Sequence, residues 1–496
     1  MKKEYILAID QSTQGTKGIL FSATGNLVAR SDLLHKQMVD DLGWVEHDPQ
    51  EIIDNVEQVV RDVVEKAGIA KSSIIGVGIS NQRETVMAWE RKSGKPVYPA
   101  IVWQCARAEK ICERVRQDGW AMKIRKATGL QLSSYFSAAK LAWIMENVTG
   151  VKELAQNGNL CCGTMDSWLI YCLTGGKVFK TDYSNASRTQ LFNIQDLCWD
   201  EEICEIFGVP SACLPEVCDS NDLFGMTDFS GYLEEKIPIH AALGDSHAAL
   251  FGQGCVYEGG IKATYGTGSS VMLNTGKKII MSQKGLVTSL AWSMDGDVNY
   301  VLEGNINYTG AVISWLKDDL QLITAPAETE KLAREANPSD KTYLVPAFTG
   351  LGAPYWDSDA RGLFTGMSRV TGKKELVRAA LDSIVYQISD IVRLMQKESG
   401  LHLERLRADG GPTKNRYLME FQSNILAMPV EIPEMEELSA CGAAYAAGLA
   451  LGFYTRKVLQ QAAGIRLLPQ MPEDERARYY AGWRGAIRQA VHYHAD

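Results

Sequence analysis

The 496-residue chain has no apolar run approaching the roughly 18–20 residues of a membrane span, which excludes a helical membrane protein. It has no CxxC pair, and its eleven cysteines, among them Cys105, Cys112, Cys161, Cys162, Cys172 and Cys198, are scattered and odd in number. That pattern excludes a disulfide frame and a zinc site, and it reads as reduced thiols in a cytoplasm. The seven histidines lack any HxxxH pairing, so a protein metal site built on them is not expected. An excess of positive charge is lacking too: a net charge of −9 argues against nucleic acid or an anionic membrane as the main partner. No GxxxxGK[ST] occurs, and no GxGxxG opens a helix after a strand, so a Walker-type loop and a dinucleotide fingerprint are both excluded.

What is present is ordinary for a globular protein, with 46% apolar and 22% charged residues. The length exceeds one ordinary core, so two large domains are expected. The opening MKKEYILAIDQS has too short an apolar run for a signal sequence and reads as a strand. Residues 4–30 carry β-rich runs around Ser/Thr/Gly turns, the pattern of a β-meander. Residues 49–68 have helical spacing and stop at Gly68; 72–84 is again a short buried strand. This order predicts an α/β fold with a largely parallel sheet and sites at strand C-termini. Residues 259–278 repeat the opening: two β-runs around Gly266-Thr267-Gly268, as in a second, related domain. Residues 374–400 predict a long amphipathic helix, 403–426 a strand, glycine turn and helix, and 473–494 a charged surface helix. No low-complexity linker divides the chain, and the boundary is placed near 250–258, giving domains 1–253 and 254–496.

Three strand-then-turn elements suggest a nucleotide held between two domains. The first is Asp10-Gln11-Ser12-Thr13-Gln14-Gly15-Thr16-Lys17, where small residues let backbone approach phosphate oxygens and Lys17 supplies charge. Asp10, at a strand end, could hold Mg²⁺ through water. The second is Tyr265-Gly266-Thr267-Gly268, and the third Asp409-Gly410-Gly411-Pro412-Thr413-Lys414-Asn415. Taken singly, such turns are commonly plain hairpins. A fourth stretch, AALGDSHAALFGQG (241–254), sets Asp245, Ser246 and His247 among apolar residues. It allows three readings: a helix cap, a Ser/His hydrolase dyad, or one aspartate acting as a base beside a pocket. No G-x-S-x-G elbow surrounds Ser246, which counts against the dyad.

Over nearly its whole length the chain resembles the FGGY carbohydrate kinases, and within them the branch acting on glycerol. The matching residues are AIDQSTQGTKGILF (8–21), ISNQRETVMAWERKSGKPVYPAIVWQCAR (79–107) and GTMDSWLIYCLTGGKVFKTDYSNASRTQLFNI (163–194). Others are ATYGTGSS (263–270), PAFTGLGAPYWDSDARGLFTG (346–366) and DGGPTKNRYLMEFQSNILAMPVEIPE (409–434). The resemblance implies two actin/hexokinase-like (ribonuclease H-like) α/β domains with ATP and substrate in the cleft between them. The first domain would carry most of the substrate site and the second most of the nucleotide site.

It implies roles residue by residue. Asp10 would hold Mg²⁺, with Ser12, Thr13, Gln14 and Lys17 near the phosphates. Gly266, Thr267, Gly310, Ser314, Gly411 and Asn415 would line the nucleotide side. Arg83, Glu84, Trp103, Tyr135 and Asp245 would meet the substrate hydroxyls, with Asp245 as general base. Two positions depart from the family pattern: Ser246 stands where Gln is usual, and Ser270 where Phe is usual. Unless a neighbour fills the space, both changes widen the pocket and make it more polar. Ser314 also replaces a common Gln, and residues 227–239 lack the glycine-rich loop that binds a sugar bisphosphate inhibitor in some relatives.

The expected activity is ATP-dependent phosphorylation of a terminal hydroxyl of glycerol or a slightly longer polyol. A pentulose or other sugar kinase of the same fold is one alternative; an actin- or chaperone-like ATPase switch is another. A cytoplasmic enzyme with ATP, Mg²⁺ and a small polyol or sugar as partners is expected, homo-oligomeric as such families commonly are.

Overall fold

The computed structural model describes residues 4–460 and 463–491. The chain opens with β1 (Tyr5–Gln11), β2 (Gly15–Ser22) and β3 (Leu27–Leu34), joined by tight turns. Turns this short force antiparallel pairing, because parallel strands need a long crossover. Helix α1 (Pro49–Ala67) follows, capped by the Asp48 carboxylate, which accepts from Gln50 N at 2.9 Å, and stopped by left-handed Gly68 at φ 62°. Its buried stripe of Ile52, Val56, Val60 and Val63 packs on β2 and β3. Next come β4 (Ile74–Asn81), β5 (Val86–Glu90), helix α2 (Ser137–Asn147), β6 (Ile237–Gly244) and helix α3 (Asp245–Gly252).

The first main sheet runs Met226–Thr227, β6, β4, β1, β2, β3. Only the neighbours β6–β4 and β4–β1 pair in parallel, so the sheet is mixed; the expectation of a largely parallel sheet is corrected by the meander that opens it. Register brings Asp10 opposite Ser80 on β4 and Lys17 on β2, and sets Gly244 opposite Asn81. The C-terminal ends of β1, β4 and β6 therefore line one edge.

The second main sheet repeats the plan. Its strands are β7 (Ile261–Tyr265), β8 (Ser269–Gly276), β9 (Val287–Met294), β10 (Asp297–Ile306), β11 (Leu406–Asp409), β12 (Val430–Pro433) and β13 (Ala463–Leu467). The order is β9-β10-β8-β7-β11-β12-β13, again an antiparallel run beside parallel strands (β7, β11, β12). Helices α4 (Gly310–Asp318), α5 (Lys373–Ser399, stopped at Gly400), α6 (Arg416–Leu426), α7 (Leu438–Ala450) and α8 (Glu473–Val491) complete it.

Helix α7 lies in sequence between β12 and β13 of the second sheet yet packs on β1, β4, β6 and α3 of the first. Its small residues allow this: a Cβ at Gly442 would stand 1.8 Å from Ala248 O, and one at Gly78 2.2 Å from Ala443 O. An apolar core joins the halves, in which Ile6, Ala8, Phe251, Met272, Trp292, Val301 and Ala444 are all buried together. Among the described residues, no helix is long and apolar enough to cross a membrane.

Candidate active site

The residues predicted from the sequence fall into two groups, one around the strand ends of the first sheet and one beside α4 and α6 of the second domain. Asp245 is the first residue of α3, directly after β6, and Gly244 takes the cap position. The carboxylate accepts from Ser246 N at 2.6 Å, lies 3.3 Å from Arg83 Nε, and is about a third exposed (36%) to the cleft. Gly244 is required here, since a Cβ would fall 2.7 Å from Arg83 Cγ. The hydrolase dyad is not formed: buried His247 turns Nε2 toward Ser289 Oγ at 3.4 Å, not toward Ser246. Burial and the neighbouring Arg83 hold His247 well below its usual range, hence neutral.

Arg83 and Glu84 are buried, and they do not pair with each other. Arg83 makes a two-pronged contact with Glu303, at 3.0 and 2.9 Å, across 220 residues of sequence. Glu84, in the left-handed region at φ 61°, accepts from Arg188 Nε at 2.6 Å, and Arg188 Nη1 reaches Glu303 at 2.9 Å. The result is one chain of alternating charge, Asp245–Arg83–Glu303–Arg188–Glu84. Burial opposes the charge of Glu303, but the two guanidinium groups outweigh it and hold the carboxyl well below the usual range. Ser270 Oγ donates to Glu303 at 3.1 Å. Its hydroxyl thus belongs to this network.

Trp103 and Tyr135 form an aromatic wall, edge to face with ring centroids 5.5 Å apart, and Tyr135 lies near Glu84 and Arg83. Trp103 Nε1 donates to Thr13 Oγ1 at 2.9 Å, tying that wall to the first turn. In the turn itself, Ser12 Oγ donates to Gly15 O at 2.9 Å, and Gln14 is exposed. Lys17 donates to Glu437 at 2.7 Å and stands 3.8 Å from Asp10. Asp10 accepts from Ser80 Oγ at 2.9 Å; burial pushes its carboxyl up to about 6 against the pull of Lys17, with Asp245 and Glu437 raising it further.

On the second domain, Gly310 N donates to Gly266 O at 2.9 Å and Ala311 N to Thr267 O at 3.0 Å, locking the start of α4 against the hairpin. A Cβ at Gly310 would lie 2.5 Å from Gly266 O, and one at Gly410 2.0 Å from Tyr265 O. Gly310, Ser314, Gly411 and Asn415, with Ile313, Pro326 and Ala327, line a largely apolar cavity of about 510 Å³. Asn415 also caps α6, accepting from Leu418 N at 3.0 Å, and donates to Thr329. Ser12, Thr13, Gln14 and Lys17 stand on the other domain and do not line this cavity.

Sequence reasoning missed Glu303 and Arg188. The signal for Glu303 was one charge inside the apolar run YVLEGNI; Arg188 lay within the matched stretch YSNASRTQL without an assigned part.

Two mirrored α/β domains with glycine turns facing an acceptor site define a cleft phosphotransferase. Residues 5–252 match the N-terminal domain, and 261–451 the C-terminal domain, of the FGGY family of carbohydrate kinases; the chain belongs to this family. It is 50% identical to glycerol kinase 1 of Thermotoga maritima, covering 98% of this chain and 99% of that one. It is 46% identical to a glycerol kinase of Symbiobacterium thermophilum over the full length of both. In structure it is similar to a Plasmodium falciparum glycerol kinase with ADP, with a TM-score of 0.94 at 34% identity, covering 99% of each chain. A xylulose kinase of Lactobacillus acidophilus shares the fold, with a TM-score of 0.87 at 22% identity, covering 98% of this chain and 99% of that one.

Proposed function

We propose that the protein transfers the terminal phosphoryl group of ATP to a terminal hydroxyl of glycerol, with Asp245 as the general base. One observation carries the reading: a buried chain of five charged groups ends at a solvent-reachable Asp245, and the Tyr135 ring, packed on Trp103, lies near Glu84 and Arg83 of that chain. A site of this kind suits a small molecule whose every carbon bears a hydroxyl. Arg83 offers a donor, Glu84 an acceptor, and the two rings cover C–H surface. Because each hydroxyl meets a fixed partner, analogues lacking one are rejected strongly.

Asp245 accepts the proton of the attacking hydroxyl, a contribution typically about 10²–10⁴-fold. Arg83, anchored by Glu303, keeps the base oriented. The remaining task is positioning and charge neutralisation, the dominant need of phosphoryl transfer. Gly266, Thr267 and Gly310 make the close hairpin–helix seam that lets the phosphates approach the backbone, Lys17 adds charge, and the cavity beside Ser314, Gly411 and Asn415 takes the base. The site fits Mg²⁺: Asp10 is a carboxyl raised chiefly by burial, with Asp245 and Glu437 adding to the rise, and a cation beside it would relieve that. When bound, Mg²⁺ supplies charge neutralisation of the phosphates. Closure of the domains excludes water, which spares ATP from hydrolysis.

Ser246 and Ser270 favour a second reading, a slightly longer polyol, since both present short hydroxyls at the cleft. ADP release with Mg-ATP across glycerol, erythritol, threitol, ribitol, xylitol, xylulose and ribulose, compared by kcat/KM, separates the two. Glycerol should lead; a four- or five-carbon polyol in front transfers the assignment to the longer substrate. ATP turnover indifferent to every polyol would overturn both.

A further inference from the structure

Lys140, in the first turn of α2, is wholly buried, and no ion pair balances it among the described residues. Burial alone makes a lone ammonium costly. The N-terminus of a helix makes it costlier, because the macrodipole there repels positive charge. Its three N–H groups all go to backbone: Ser134 O at 2.9 Å, Tyr135 O at 2.6 Å and Phe136 O at 2.9 Å. These are consecutive carbonyls of the loop that carries Tyr135, and the loop is tied further by Ser134 Oγ donating to Glu109 at 2.7 Å. A helix would be more stable with an uncharged residue at this point, so the cation answers a need of the loop and not of the helix.

We propose that Lys140 is a positioning residue, whose ammonium gathers the carbonyls of Ser134, Tyr135 and Phe136 and so fixes the Tyr135 ring against Trp103 as the wall that holds the polyol. The inference rests on the reading of Tyr135 as a polyol contact. A neutral amine has only two N–H groups and leaves one of the three carbonyls without a donor. The titratable groups facing the ammonium are Glu84, beside the loop, and Cys105 and Cys112 from the segment packed on α2. Burial pushes Lys140 down to about 7, with Glu84 opposing, so the third N–H is lost just above neutrality.

The test is steady-state kinetics of Lys140→Met, Tyr135→Ala and the double variant, with glycerol and ATP varied in turn. Lys140→Met should raise the glycerol KM roughly tenfold or more while leaving the ATP KM within about twofold and kcat within about threefold, the pattern of lost substrate positioning. Tyr135→Ala should raise the glycerol KM by itself, and the double variant should be no worse than Tyr135→Ala, since both act through one ring. A normal glycerol KM in Lys140→Met, an equal rise in the ATP KM, or full additivity overturns the proposal. A normal glycerol KM in Tyr135→Ala overturns the polyol-wall reading, and this proposal with it. Should Lys140→Met not fold, the unaltered enzyme decides: its glycerol KM should rise between about pH 6.5 and about pH 8.5 while its ATP KM stays level, and a level glycerol KM is the overturning result.

Discussion

Arg83 serves two carboxylates at once: its paired Nη atoms hold Glu303, and its Nε faces Asp245. The planar guanidinium permits this, because its donors point in fixed, separate directions. Asp245 is consequently oriented by a residue that is itself immobilised. Asp245→Asn keeps the shape and removes the base, so kcat should fall about 10²–10⁴-fold while ADP binding by calorimetry stays within about twofold. A variant retaining most of its kcat would end the base assignment. At this scale the matched motifs named Arg83, Glu84, Trp103, Tyr135 and Asp245, and the structure sets Asp245 beside Arg83 and Trp103 against Tyr135. Glu303 was not, because its partner lies 220 positions away and no local pattern encodes such a distance.

Strands and turns set where these side chains can stand. Asp10, Asn81 and Gly244 share one edge because β1, β4 and β6 are parallel and in register. On the facing domain the chain passes so tightly that Gly410, at φ +97°, tolerates no Cβ. Gly410→Ala should therefore push the 410–415 turn off Tyr265 and raise the ATP KM at least about tenfold with a smaller change in the glycerol KM, read by varying each substrate in turn. A larger change on the glycerol side would show that the turn serves the acceptor instead. Elements were largely readable: α1 ended at Gly68 and α5 at Gly400 as the sequence predicts, because caps and glycine stops are local chemistry. The predicted tail helix holds as α8 to Val491; its last expected residues lie outside those described. Sheet polarity was misjudged, since strand–helix–strand order suggests parallel pairing while the two short turns of the meander impose the opposite.

For the whole molecule, burial has a cost that pH reveals. Burial raises Asp10 to about 6, and Asp166 and Asp382 to about 7. Each is raised above its unfolded value, so the folded state binds more protons between about pH 4 and about pH 7. The stability these groups provide is complete below the unfolded value and lost as pH rises through the folded one. Asp382, which accepts from Tyr417 at 2.8 Å, links α5 to α6 and allows a clean test. Asp382→Asn should gain in thermal midpoint relative to the unaltered protein as pH rises from about 4 to about 7.5, and level off above that. A midpoint difference that ignores pH would mean that Asp382 does not titrate in this window.

The sequence by itself determined the main elements, the repeated opening of the two halves and the kinase family, because each is carried by local spacing or a contiguous motif. Only the tertiary structure decided which charges meet. It brought Glu303 of one sheet to Arg83 and Arg188 of the other half, set Lys17 on Glu437, and laid α7 across the first sheet. Those pairings follow from how two sheets face each other and from what close packing leaves no room for, and neither is written in the neighbours of a residue along the chain.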